Sequence, residues 1–517
     1  MLRRGADPNL ANKEGLTSLH MICEKGNDDI SEILLRSFFE TNDANHRTVE
    51  IDAQDGQGET PLHYVLSRNF KKATELLLKK GANPNVASQK GSTPLHTICH
   101  RWKDDELVIL LKLFFKINDE LQQTIQIDAQ DTEGRTPLHL AADNELRQVT
   151  EWLLRRGSNL NLADKDGLTP LHLICQRGFD HDKVKFLKKL FKIYDTNYRT
   201  IQIDVQASGG RTPLHFAIDC DHPKTAEILM SRDANPNLAN VEGSTALHVI
   251  CTRYLDDEFV KTFLKINDDI QQTVQVDARD KLGRTALQMA VAYLKPKTVD
   301  VLLNYGADLF GFIFPAESHI HEHLKIVEDA HEFQMERASS ALACIEHLEK
   351  KGFELTRSDA LTIMKIFGKY ELFQKSGDHE FWLKYEYFEW ETTKKLMLIP
   401  SLSLYDLTRS LRPEEAEKVL TYKDYFEFMR ASDYYLVPKG PCRPCVAYLC
   451  EIMSKGFFRR WALQFFLSLT HYQLTNSLLL QNHRPVEKRG IVQNMSGSRN
   501  RYEQIEPKCV TPFTKIL

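Results

Sequence analysis

The sequence predicts an all-α fold, a solenoid of stacked helix pairs over residues 1–314 followed by a small helical C-terminal domain. Three observations carry this. First, the tetrapeptide Thr-Pro-Leu-His, or a near copy, starts at Thr17, Thr60, Thr93, Thr136, Thr169, Thr212, Thr245 and Thr285, and self-similarity at a fixed period marks a repeat architecture. Second, each repeat holds two apolar runs with helical spacing. Third, the signature stops after Asp308 while helical spacing continues well beyond it.

Successive starts lie 43, 33, 43, 33, 43, 33 and 40 residues apart, so the true unit is a long repeat followed by a short one. The repeat from Gly58 shows the local logic. Thr60 is an N-cap, Pro61 takes the first helical position where a missing N–H costs nothing, and Leu62 enters the core. A second run, Ala73, Leu76, Leu77 and Leu78, ends at Gly81, which accepts the left-handed conformation that closes a helix. Asn83, Pro84, Asn85 and Gly91 then supply turn chemistry before the next start. Each unit therefore reads helix, helix, hairpin, with Leu62, Leu95, Leu138, Leu171, Leu214 and Leu247 as buried positions between repeats. The opening stretch Met1–Asn9 matches the close of a repeat at Leu77–Asn85, as expected for a partial leading repeat in an N-terminally truncated chain.

This signature, with its period of about 33 residues, resembles the ankyrin repeat. The resemblance implies projecting hairpins, histidines that hydrogen-bond between repeats, and protein–protein recognition as the function. It implies no catalysis.

Composition narrows the partners. A formal net charge of −4 gives no global attraction to nucleic acid or to an anionic membrane. We find no apolar run of the roughly 18 residues that span a bilayer and no signal-peptide core, so an intracellular location, cytoplasm or nucleus, is expected. Ten cysteines in 517 residues are too sparse for a secreted disulfide scaffold and read as reduced thiols.

Several constellations suggest chemistry and are better read as structure. His20 with Cys23, His96 with Cys99, His172 with Cys175 and His248 with Cys251 repeat at a spacing that invites metal, yet each cysteine stands where Ala142 stands in another repeat and packs as a small hydrophobe. Cys442 and Cys445, with Cys450 nearby, would need a fourth zinc ligand such as His471 or His483, and the segment also reads as an ordinary helix start. His319, His321 and His323 would converge only on an extended chain and read as solvated linker. With no phosphate-binding glycine loop, no G-x-S-x-G and no H-E-x-x-H, the sequence implies no enzyme, no cofactor and no metal site.

The long repeats carry extra residues that are expected to follow the second helix, as in Phe114–Gln126, with equivalents around Thr48, Thr124, Thr200 and Thr273. Insertions recurring at one place map to one face of a solenoid, often its binding face. Asp43, Asp119, Asp195 and Asp268 then fall in register on a ridge that suits a basic target surface. The other reading is that the extra residues only lengthen a helix and its loop, with the aspartates ending helices.

In the last third, Ala338–Leu348 and Ser358–Phe367 have helical spacing, with Thr356 or Ser358 as N-cap. Pro-Ser-Leu-Ser-Leu-Tyr-Asp-Leu at 400–407, Arg-Pro-Glu-Glu-Ala at 412–416, Tyr425-Phe426-Glu427-Phe428 and Gly456-Phe457-Phe458-Arg459-Arg460-Trp461-Ala462-Leu463 resemble the PRANC family, which follows ankyrin arrays in poxvirus and insect proteins. That resemblance implies an F-box-like domain that docks the Skp-type adaptor of a cullin–RING ubiquitin ligase while the array holds a target protein. Phe457, Phe458 and Trp461, with Leu463, Phe465 and Phe466, form a cluster too apolar to be solvated, read either as all core or as partly core and partly available to that partner. The organisation expected is an array at 1–314, a helical linker region at 315–399, a PRANC-like domain at 400–485 and a disordered tail at 486–517. Beyond 467 the chain departs from the family, since one shorter leucine run ending at Leu480 replaces the usual final helix pair. The alternative function is a scaffold or sequestering protein without ligase contact.

Overall fold

The computed structural model describes residues 6–100, 104–196, 199–253, 257–320, 334–369, 396–410 and 413–430, together with Leu449, Ile452, Met453, Gly456, Phe457, Arg459 and Trp461. Two compact units divide the chain, Met1–Gln275 and Val276–Leu517.

In chain order the first unit contributes α1 (Ser18–Glu24) and α2 (Asp28–Ala44), α3 (Pro61–Ser67) and α4 (Lys71–Lys79), α5 (Pro94–Cys99) and α6 (Asp104–Glu120), α7 (Pro137–Asp143) and α8 (Arg147–Arg155), α9 (Pro170–Gln176) and α10 (Asp180–Thr196), α11 (Pro213–Asp219) and α12 (Pro223–Met230), and α13 (Ala246–Thr252) and α14 (Asp257–Asp269). First helices pack on first helices, from α1 on α3 to α11 on α13, and second helices on second helices, from α2 on α4 to α12 on α14. The result is a two-layered α-solenoid. The six repeat leucines named above are at most 1% exposed. Cys23, Cys99, Cys175 and Cys251 are buried beside them, and burial pushes the Cys175 thiol up to about 12.

The Thr-Pro-Leu-His signature is a capping device that also joins repeats. In seven repeats the N-cap Thr N–H donates to the Nδ1 of the histidine three residues on, at 3.0–3.2 Å. With Nδ1 accepting, Nε2 carries the proton. It donates to a carbonyl just ahead of the next signature: Glu59, Ser92, Arg135, Leu168, Arg211 and Ser244 for His20, His63, His96, His139, His172 and His215, at 2.9–3.2 Å. These rings are buried and work neutral, and burial holds His63, His172 and His215 down to about 4.

The hairpins add a main-chain ladder. Gly56, Gln89, Thr132, Lys165, Ser208 and Val241 donate their N–H to Glu14, Gln57, Lys90, Glu133, Asp166 and Gly209 carbonyls of the preceding hairpin, at 2.7–3.0 Å. Such close approach needs glycine at the tip. Gly58 has φ +75°, and a Cβ placed there would stand 2.6 Å from Gln89 N.

The extra residues of the long repeats lie differently from expectation. They do not all follow the second helix, because α6 runs on to Glu120 and takes in Phe114–Glu120, making the second helix 17 residues long against nine in α4 and α8. Asn118 lies within the continuation: its buried Nδ2 donates to the Phe114 carbonyl at 2.7 Å, so the donor side of a residue that reads as a turn former is satisfied inside the helix. Asn42 and Asn267 do the same with Phe38 and Phe263.

The second unit opens with the eighth repeat, α15 (Ala286–Ala292) and α16 (Pro296–Tyr305), and continues through α17 (Gln334–Lys350) and α18 (Arg357–Lys369), a two-stranded antiparallel pair β1 (Met397–Ile399) and β2 (Leu402–Ser403), then α19 (Leu404–Ser410), α20 (Pro413–Val419) and α21 (Tyr422–Arg430). Three helix starts use Ser/Thr-x-x-Asp boxes, Thr356 with Asp359, Ser403 with Asp406 and Thr421 with Asp424, which makes Thr356 the N-cap of α18. The approach to Pro400 is a strand because a residue before proline favours extended backbone. In this unit α16 packs on α17 and α17 on α21. The core gathers Leu342, Phe367, Leu404, Phe428, Phe457 and Trp461 among others.

Candidate interaction surface

The four ridge aspartates stand at the C-terminal ends of the long second helices, and Asp43, Asp119 and Asp195 each meet a cation of the next repeat. Asp43 accepts from Lys80 Nζ at 2.9 Å, Asp119 pairs with Arg156, and Asp195 takes two bonds from Arg232 at 3.0 and 2.9 Å. Each cation lies 37 residues downstream, at the end of the next second helix, and also covers an aromatic ring of the long helix: Lys80 over Phe39 at 5.1 Å, Arg156 over Phe115 at 4.8 Å and Arg232 over Phe191 at 4.8 Å. The bonds from Arg232 hold the Asp195 carboxyl below the usual range. The three aspartates remain 54–63% exposed, so the ridge presents neutralised pairs to solvent in place of bare acid. Asp268 occupies the equivalent place near the end of α14.

Residues that sequence reasoning did not single out fix the inserted loops. Asn9, Asn85, Asn161 and Asn237 each donate Nδ2 to the carbonyl of Thr48, Thr124, Thr200 or Thr273 and accept with Oδ1 from the N–H two residues further on, all at 2.7–2.9 Å. One amide thereby mimics a strand partner and clamps the insert at its edge. The signal was available, since the four asparagines recur every 76 residues.

Of the apolar C-terminal cluster, Phe457 and Trp461 are buried, 2% and 6% exposed. Phe458, Cys442, Cys445, Cys450, His321, His323, His471 and His483 lie outside the described residues. Among the described residues no helix is long and apolar enough to cross a membrane.

A helix–helix–hairpin unit with a Thr–His cap bonded to the next repeat, iterated along the array, decides the relationship. The sequence pattern described as "Ankyrin repeats (3 copies)" matches residues 1–88, 37–120, 75–164, 138–240 and 232–310, more than half of the chain. The chain belongs to the ankyrin-repeat family. Its array is a protein–protein interaction module. Human transient receptor potential cation channel subfamily A member 1 is 26% identical over 291 residues, covering 56% of this chain and 24% of that protein. Mouse inversin is 31% identical over 185 residues, 36% of this chain and 17% of inversin. The Arabidopsis thaliana E3 ubiquitin-protein ligase KEG is 26% identical over 308 residues, 57% of this chain and 17% of the ligase. The chain thus spans a quarter or less of each of these relatives. Among solved structures, the ankyrin repeat domain of Bcl-3 aligns over 46% of this chain and 95% of its own, with 22% identity and a TM-score of 0.37.

Proposed function

We propose that this ankyrin protein is a substrate-recognition adaptor of a cullin–RING ubiquitin ligase, with residues 1–314 selecting the target and residues 400–485 docking a Skp-type adaptor. The observation that carries the reading is that the PRANC-like segments, separated in sequence, contribute to one core: Leu402, Leu404, Leu407, Ala416, Tyr425, Phe428, Phe457 and Trp461 pack together. The similarity of the repeats to those of an E3 ubiquitin-protein ligase is in keeping with it.

On this reading the target lies along the ridge that carries Asp43, Asp119, Asp195 and Asp268, where exposed ion pairs at a regular spacing meet the partner, and binding weakens with salt. Phe457 and Trp461 serve by holding the helices of the docking unit together, and Phe458 is the member of the cluster assigned to the adaptor contact. The test is co-elution of the full chain with a purified Skp-type adaptor on size exclusion. A stable complex supports the ligase role, whereas two separate peaks overturn it and leave the array as a scaffold or sequestering protein.

A further inference from the structure

Lys183, in the first turns of α10, is 3% exposed. Its Nζ lies 2.8 Å from His222 Nδ1 and 3.1 Å from the Cys175 carbonyl oxygen, and that carbonyl is itself 3.0 Å from His222 Nδ1. Among the described residues no carboxylate reaches it within ion-pair distance. Asp180 spends its two oxygens on the N–H groups of Lys224 and Thr225, and Glu145, the other nearby acid, crowds Gly178. A buried ammonium without a countercharge is costly.

The array contains its own control. Two residue positions equivalent to Lys183 and His222 in the preceding repeat pair hold Leu107 and Leu146, each 2% exposed. The fold accepts an apolar pair at this joint, so packing does not require the lysine. Lys183 also borders a small recess, partly open to solvent, walled by Ala142, Ile174 and Phe186, with Arg147 and Arg177 lining it.

We propose that Lys183 is a carbamate-forming site whose ligand is carbon dioxide, taken up from the recess with His222 as the proton acceptor. The lone pair of the neutral Nζ attacks the carbon of CO2, one C=O π pair moves onto oxygen, and the displaced N–H proton passes to His222 Nε2, 3.3 Å from Nζ, since Nδ1 carries the proton it donates to the Cys175 carbonyl. Amine, imidazole and CO2, all neutral, become carbamate and imidazolium, so charge and atoms balance. The product supplies the missing anion beside the imidazolium and the two arginines, which keep Asp182 and Asp143 as partners at 3.5 and 2.9 Å. Burial brings Lys183 down to about 8, which leaves on the order of a hundredfold more neutral amine near neutral pH than an ordinary lysine holds. Asp180, Glu145, Cys175 and Cys220 face the ammonium and oppose this effect.

The full-length chain is equilibrated with 13C-labelled bicarbonate, trapped with triethyloxonium and mapped by mass spectrometry. Lys183 is expected to carry on the order of tenfold or more label than exposed Lys116 or Lys189. The label should vanish in K183R and in K183L/H222L, the second of which copies Leu107 and Leu146 and therefore folds. Label on Lys183 no greater than on Lys116, or labelling spread evenly over the lysines, overturns the proposal.

Discussion

Asp195 and Arg232 join two successive repeats by a two-bonded ion pair at 3.0 and 2.9 Å, and the same guanidinium lies 4.8 Å over the Phe191 ring. The pair stands at the solvent edge, where such contacts contribute about 0.2–1 kcal/mol, and the ring contact makes the arginine the heavier partner. R232A is expected to destabilise more than D195A in urea titrations. The swapped chain D195R/R232D separates two roles: it should restore most of the stability lost in either single charge reversal. If the ridge holds the target, the swap should still weaken capture of a basic partner.

Acid should loosen the array through its cap histidines. Their folded-state values are lowered by burial, to about 4 for His63, His172 and His215 against 6.5 unfolded. Below pH 6.5 the unfolded chain binds protons that the folded chain refuses. Stability is thus complete above about pH 6.5 and is lost as pH falls toward 4, at about 1.4 kcal/mol per pH unit for each such ring. Urea midpoints that stay level between pH 7.5 and 4.5 would contradict this.

The eighth repeat shows what the histidine supplies. Gln288 there accepts from Thr285 N–H with Oε1 and donates Nε2 to the Ile313 carbonyl, both at 2.8 Å, which reproduces the bonding without a titratable group. H139Q should therefore cost less than H139L, which leaves the Thr136 N–H and Leu168 carbonyl unpaired at about 1–3 kcal/mol. H139Q should also flatten the acid dependence slightly.

Two glycines with similar backbone separate conformational strain from collision. Gly81 has φ +99° and nothing within 4 Å of an added Cβ, whereas at Gly58 the Cβ would meet Gln89 N. G81A should cost about 1–2 kcal/mol for its left-handed conformation. G58A carries that plus a displaced hairpin, and an equal loss in the two variants would refute the ladder as a rigid contact.

Removing the amide clamp in N85A should raise proteolysis or amide exchange selectively at 121–126, since Thr124 and Gln126 lose both bonds to it. Unchanged exchange there would mean that the insert is held by the length of α6 alone.

Periodicity made the repeats, their long–short alternation and the buried leucines readable, because every repeat solves the same packing problem with the same residues. Where each insert sits was not readable in the same way. Asn118 and Asp119 look like turn chemistry, yet they lie inside the long helix, where Asn118 donates to the Phe114 carbonyl. The ridge aspartates were found by register, yet their partners 37 residues away belong to another repeat, a distance at which spacing within one helix is silent.

By itself, then, the sequence determined what is local and repeated: the caps at each Thr-Pro-Leu-His, the glycine-closed hairpins, the helix pairs and hence the ankyrin array. Tertiary structure decided what depends on a neighbour: that Asp43, Asp119 and Asp195 face cations, that Phe457 and Trp461 turn into a core, and that Lys183 meets His222 where the preceding repeat pair places leucines. The physical reason is range. Propensity and capping act within a few residues, while ion pairing, burial and the state of a buried amine are set by groups that only the stacked chain brings together.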